Sequence, residues 1–163
     1  MAYYVIIRGP LGCGKTTIAK EICARIGAKY FSVDEILSTH DLENDREEGY
    51  ISQKSFIKAN DILVKLAKPF LEKGMNVIFD GNFYWKSQIE DLQKKLKFGG
   101  QVFTLKATLN LCITRDKNRE KTLGVGAASV VYTKSTEFDY GNLVDVSQPI
   151  EKCVREIIEQ LPK

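Results

Sequence analysis

The stretch IIRGPLGCGKTTIAK, from Ile6 to Lys20, sets three glycines within six residues and follows them with a lysine and two threonines. Glycine weakens regular structure by about 0.5–1 kcal/mol relative to alanine, so three close together mark a segment whose backbone must approach a partner. Gly9, Gly14, Lys15 and Thr16 fit the spacing G-x-x-x-x-G-K-[ST], in which a loop cradles phosphate with its own amides. YYVIIR, just before it, is the β-branched and aromatic run of a buried strand. KTTIAKEICARIG, just after it, sets Ile18, Ile22 and Ile26 on one helical stripe and closes on Gly27. Strand, glycine loop and helix is the order such a cradle needs.

That order assigns expected roles. Gly9, Leu11, Gly12, Cys13 and Gly14, with Lys15, Thr16 and Thr17 of the first helical turn, form the expected nucleotide-binding set. Their amides are unpaired donors, and the helix dipole adds partial positive charge. Lys15 is expected to reach the β- and γ-phosphates, and the Thr16 hydroxyl to ligate Mg²⁺. The expected ligand is a nucleoside triphosphate.

The chain has 163 residues, is 44% hydrophobic and 28% charged, and contains no repeat or low-complexity segment, which suits one domain over 1–163. No apolar run approaches the roughly 20 residues of a membrane span, and no signal peptide is read ahead of the first strand. Cys13, Cys23, Cys112 and Cys153 form no C-x-x-C pair and read as reduced thiols of a cytoplasmic protein. A net charge of +3 is too small to imply nucleic-acid binding.

Further strands are expected at KYFSVD, MNVIFD, QVFTLKAT and NLVDVS, with helices between them. One long helix, ISQKSFIKANDILVKLAKPFLEKG, is expected to bury Phe56, Leu63, Leu66 and Phe70 and to close on Gly74. WKSQIEDLQKKLK, LNLCITRDKNRE and QPIEKCVREIIEQL read as further helices. Such alternation predicts a mostly parallel α/β sheet covered on both faces, with ligands at the carboxyl ends of its strands.

Three of the strand runs end in aspartate, at Asp34, Asp80 and Asp145. Asp34 caps the following helix or serves as the base that takes a proton from an attacking hydroxyl. Asp80 caps a turn or supports the metal held by Thr16, and Asp145 reads first as a loop carboxylate. Arg115 and Arg119, four residues apart, share a helix face; they either neutralise a transferring phosphoryl group or pair with Asp116 and Glu120 in solvent. Gly124 and Gly126 behind them suit a lid over about 115–128. The acidic run HDLENDREEG is a solvated loop or one wall of an acceptor pocket, within an acceptor-side region of about 35–60. Asn60 is either a satisfied half-buried amide or an acceptor contact.

With these residues named, the whole chain resembles the small P-loop kinases: the shikimate, gluconate and adenylate kinase-like enzymes, the kinase of polynucleotide 5′-hydroxyl ends, the chloramphenicol phosphotransferase and the zeta-toxin group. The likeness rests on GPLGCGKT, on Asp34, on VIFDGN, on R-x-x-x-R with LG behind it, and on LVDVSQPIEKCVREI. It implies a three-layer fold with a five-stranded parallel sheet of order 2-3-1-4-5 and a short lid between the fourth and fifth strands. It also implies ATP and Mg²⁺ as cofactors, with Asp34 as the acceptor-binding base and Asp80 as the second acidic motif. By the same likeness Arg115 and Arg119 are the lid arginines, Arg115 also flanks the adenine, and Asp145 to Gln148 lie against the base. Cys13 stands where serine or alanine is commoner, and Arg8 ends the first strand where an apolar residue is usual. Arg46 is alone among acids, which counts against a monophosphate acceptor.

The expected activity is transfer of the γ-phosphoryl group of ATP to a hydroxyl of a small molecule, a nucleoside or nucleotide, or a nucleic-acid 5′ end, by a monomer or homodimer. The rival expectation is a regulatory ATP-binding NTPase. A guanine-reading N-K-x-D motif is missing, since DKNRE holds the letters in another order.

Overall fold

The computed structural model describes residues 1–118 and 124–163. Five parallel strands form the sheet: β1 (Tyr3–Arg8), β2 (Lys29–Ser32), β5 (Val77–Gly81), β6 (Gly99–Lys106) and β7 (Asn142–Asp145). Their order is β2-β5-β1-β6-β7, which is 2-3-1-4-5 once a small hairpin, β3 (Arg46–Glu47) with β4 (Tyr50–Ile51), is set aside. The expected topology is therefore present.

The central strands alternate between two cores. Tyr4, Ile6, Val77 and Phe79 face one apolar cluster with residues of α2 (Val33–Thr39), α3 (Gln53–Glu72) and α4 (Lys86–Leu96). Val5, Ile7 and Ile78 face the other, with residues of α1 (Lys15–Ile26), α5 (Leu109–Lys117) and α7 (Ile150–Glu159). A strand apolar on both faces must lie in the middle of a covered sheet, and β1 and β5 do. No helix among the described residues is long and apolar enough to cross a membrane.

Four local expectations are corrected. KYFSVD stops being a strand at Ser32, because Ser32 Oγ accepts the Glu35 amide and caps α2; Asp34 lies in that helix's first turn and is not its cap. On α3 the buried stripe runs through Phe56, Leu63, Ala67 and Leu71, and Leu66, off that stripe, is 44% exposed. The acidic run contains a hairpin whose central residues Glu48 and Gly49 both have positive φ, the twist that two-residue hairpins favour. Its Asp45 and Glu47 are engaged at the start of α3, Asp45 accepting from Ser52 Oγ and Glu47 from the Gln53 amide at 3.1 Å. Lastly, α5 ends at Lys117 with Asn118 as its C-cap. Arg119 lies outside the described residues, and a further helix, α6 (Gly124–Ser135), occupies most of the second half of the expected lid.

Arg8 explains its own departure from an apolar strand end. The side chain is fully buried, yet each of its three nitrogens donates a hydrogen bond. Nε donates to the Phe83 carbonyl at 3.1 Å, Nη1 to Thr104 Oγ1 at 3.0 Å, and Nη2 to the Ser135 carbonyl at 2.9 Å. The guanidinium also stacks on Phe138, 4.5 Å from the ring centre. Burial lowers its pKa to about 10, against the raising effect of Asp139. One residue away, buried Lys134 sits 3.8 Å from the Trp85 ring centre and pairs with Glu137 at 3.0 Å and Glu48 at 3.6 Å. These two cations fasten the end of α6 to the sheet and to the hairpin.

Arg8→Leu takes the guanidinium donor from the buried Phe83 and Ser135 carbonyls, each loss costing about 1–3 kcal/mol, while Thr104 Oγ1 keeps the Tyr140 amide; the charge no longer desolvated offsets part of the cost. Urea unfolding is expected to show a net loss of about 2–4 kcal/mol; a loss below about 1 kcal/mol would mean that these bonds contribute no net stability.

Candidate active site

Helix α1 begins at Gly14, whose φ of 97° is left-handed and which offers no side chain to cap the helix. The starts of α2, α3 and α5 are closed differently, by the hydroxyls of Ser32, Ser52 and Thr108. The first turn of α1 also carries no acidic residue. Its amides and the positive end of its dipole are therefore left for something else. Gly12 is required as glycine: its φ is 80°, and a Cβ there would meet the Cys112 carbonyl oxygen at 2.5 Å.

The helix opens into a cavity of about 430 Å³. Leu11, Gly12, Gly14, Lys15, Thr16, Thr17, Asp34, Asp80, Arg115 and Ile150 line it. Nine of the twelve residues expected from sequence thus converge on one space. Gly9 lies instead beside a smaller cavity with Pro10. The Cys13 side chain points into the apolar core, and burial raises its pKa despite the opposing pull of Lys15. Arg119 is the twelfth. Asp145 is a turn carboxylate: Oδ1 accepts from the Ser147 amide and hydroxyl, which lowers its pKa.

Inside the cavity the polar groups are already ordered. Lys15 is 8% exposed and donates one of its three N–H bonds to the Pro10 carbonyl at 2.8 Å. Arg115 reaches back across the loop, Nη1 donating to the Cys13 carbonyl at 2.8 Å and Nη2 to the Val146 carbonyl at 2.7 Å. It therefore ties the glycine loop to the turn after β7 with two of its five N–H donors.

Asp80 lies within β5, paired with Ile7 on one side and Ser32 on the other, and is 4% exposed. Its Oδ2 accepts from Thr16 Oγ1 at 2.7 Å and from the Tyr30 hydroxyl at 2.6 Å. Burial, then the bond to Asp80, pushes the Tyr30 phenol well above its usual range. Thr16, having given its only proton to Asp80, keeps its oxygen lone pairs as acceptors. A hydroxyl and a carboxylate at a phosphate cradle form the oxygen set that suits Mg²⁺, which keeps several waters and takes few protein ligands. No group of three or more His, Cys, Asp or Glu capable of holding a metal occurs among the described residues. Tyr30 escaped the sequence reading because a tyrosine in KYFS looks like any strand aromatic.

A family model described as AAA domain matches residues 5–133. The chain belongs to this family. Its fold is shared with a sugar kinase from Janibacter sp. HTCC2649 (TM-score 0.80, 17% identity, 98% of this chain and 94% of the other). It is shared too with a gluconokinase from Sinorhizobium meliloti 1021 (TM-score 0.75, 16% identity, 96% and 89%). A third neighbour is the APS kinase of Mycobacterium tuberculosis in complex with AMPPNP and APS (TM-score 0.72, 15% identity, 97% and 96%). At these identities the likeness concerns the fold, that of the small P-loop kinases. No curated protein sequence matches the chain.

Gly12→Ala in this AAA domain forces either the loop or α5 to move, because backbone oxygen cannot yield as a flexible side chain does. The thermal midpoint is expected to fall modestly while the stabilisation by Mg·ADP disappears; a retained nucleotide shift would show that the loop tolerates a Cβ at this position.

Proposed function

We propose that the chain is an ATP- and Mg²⁺-dependent phosphotransferase that moves the γ-phosphoryl group to an alcohol hydroxyl. The acceptor classes that fit are a small molecule, a nucleoside or nucleotide, and a nucleic-acid 5′ end, met in the cytoplasm. The observation that carries the reading is the convergence on one cavity of the uncapped start of α1, Lys15, the Thr16–Asp80 pair and Asp34. The neighbours' names, among them sugar kinase, gluconokinase and APS kinase, agree with this class of reaction.

In this reading the amides of the glycine loop and first turn hold the β- and γ-phosphates, and Lys15 gives its remaining donors to the same oxygens. Thr16, supported by Asp80, holds Mg²⁺, which when bound neutralises charge on the phosphate oxygens. Asp34 accepts the proton of the acceptor hydroxyl as its oxygen attacks the γ-phosphorus, and the bond from that phosphorus to the bridging oxygen of ADP breaks. Arg115, between the loop and the turn after β7, orders the rim on the nucleotide side. Arg119 is proposed as a second cation of the lid. Little covalent work falls to the protein, so positioning and charge neutralisation supply the acceleration.

The testing experiment presents radiolabelled ATP with pools of sugars, polyols, nucleosides, antibiotics and 5′-hydroxyl oligonucleotides. Label is expected in a phosphate ester, and Lys15→Ala is expected to lose that product while keeping its fold, since Lys15 stands at the cavity wall and gives the protein one hydrogen bond. Release of inorganic phosphate alone, indifferent to every pool, would favour a regulatory NTPase.

Asp34→Asn separates base from scaffold. Transfer is expected to fall by about 10²–10⁴-fold with Mg·ADP affinity retained. Full transfer in that variant would remove Asp34 from the chemistry.

A further inference from the structure

Asp80 is held from two sides, and only one of them belongs to the glycine-loop motif. Thr16 approaches from the first turn of α1, and Tyr30 approaches from β2, the neighbouring edge strand. Both donate to the same oxygen, Oδ2. The register explains the reach: Tyr30 pairs with Ile78 and Ser32 with Asp80, so Tyr30 sits two residues back along β2, on the same pleat face as Ser32. Its ring is half-buried, with Lys20 of α1 over it at 5.4 Å. A phenol has one proton, and this one is given to Asp80.

We propose that Tyr30 is a positioning residue for the metal site. By holding Oδ2 it stops the carboxylate from rotating and keeps the Thr16 hydroxyl pinned with its lone pairs toward the cavity. Mg²⁺ demands near-ideal octahedral geometry and tolerates little displacement of its ligands. Partners that orient ligands are therefore felt in metal affinity. The proposal rests on the Mg-nucleotide reading above and extends it to a side chain that lies outside the motif.

The test is calorimetric titration of ADP at a series of Mg²⁺ concentrations, and in EDTA, for the wild type, Tyr30→Phe, Asp80→Ala and the double variant. Tyr30→Phe removes a single oxygen and keeps the ring, so the thermal midpoint serves as a check on folding. The expected result is an Mg²⁺ midpoint raised about 10-fold in Tyr30→Phe, toward the low end for partners of this kind, with ADP binding in EDTA unchanged. In the Asp80→Ala background the same substitution is expected to add nothing, because the two residues act as a unit. An unshifted Mg²⁺ midpoint in Tyr30→Phe, an equal further shift without Asp80, or an equal weakening in EDTA each overturns the role of Tyr30. A wild type whose ADP binding ignores Mg²⁺ overturns the metal reading itself, so the two failures are told apart.

Discussion

The first turn of α1 presents backbone amides that no side chain caps, since Gly14 has none to offer, and the neighbouring elements are disposed around that end of the helix. β1, apolar on both faces, delivers the loop at the carboxyl edge of the sheet. Gly12 lets the loop pass against the Cys112 carbonyl, and Arg115 returns from α5 to hold Cys13 and Val146 by their carbonyls. An open helix end is a standing concentration of positive potential. The cavity in front of it is lined by two cations, Lys15 and Arg115, which add to that potential, and by two carboxylates, Asp34 and Asp80.

Asp80 shows how an aspartate can stand inside a buried strand. A carboxylate at 4% exposure needs donors, and it draws them from the helix ahead of it and the strand beside it. Arg8 is the complementary case, a buried cation whose charge is dispersed over carbonyls and a ring instead of a carboxylate. Both groups lie at the carboxyl edge of the sheet, where chain packing and site assembly meet.

Much of this was legible in the sequence because the signals were local. The glycine spacing, the stripe of Ile18, Ile22 and Ile26, and the alternation of apolar runs required no distant partner to interpret. Sheet order is not a local signal and followed from the resemblance alone. What escaped was decided by where a strand gives way to a helix, by which helix face meets the sheet, or by contacts between residues far apart in the chain. Ser32, not Asp34, caps α2, a choice decided where the strand gives way to the helix. Tyr30 matters through Asp80, fifty residues on, and nothing in KYFS distinguishes it from a packing aromatic. Leu66 follows the apolar pattern but lies off the stripe that faces the sheet. Arg8 was visible as an anomaly, yet its partners at Phe83, Thr104 and Ser135 come together only in the fold.

The central claim is that nucleotide sits on the open end of α1. Amide chemical-shift mapping with Mg·ADP tests it most directly. The largest changes are expected at the amides of Leu11 to Thr17, with smaller ones at Arg115 and from Val146 to Ile150. Shifts gathered on α3 and α4, with Leu11 to Thr17 unmoved, would contradict the account.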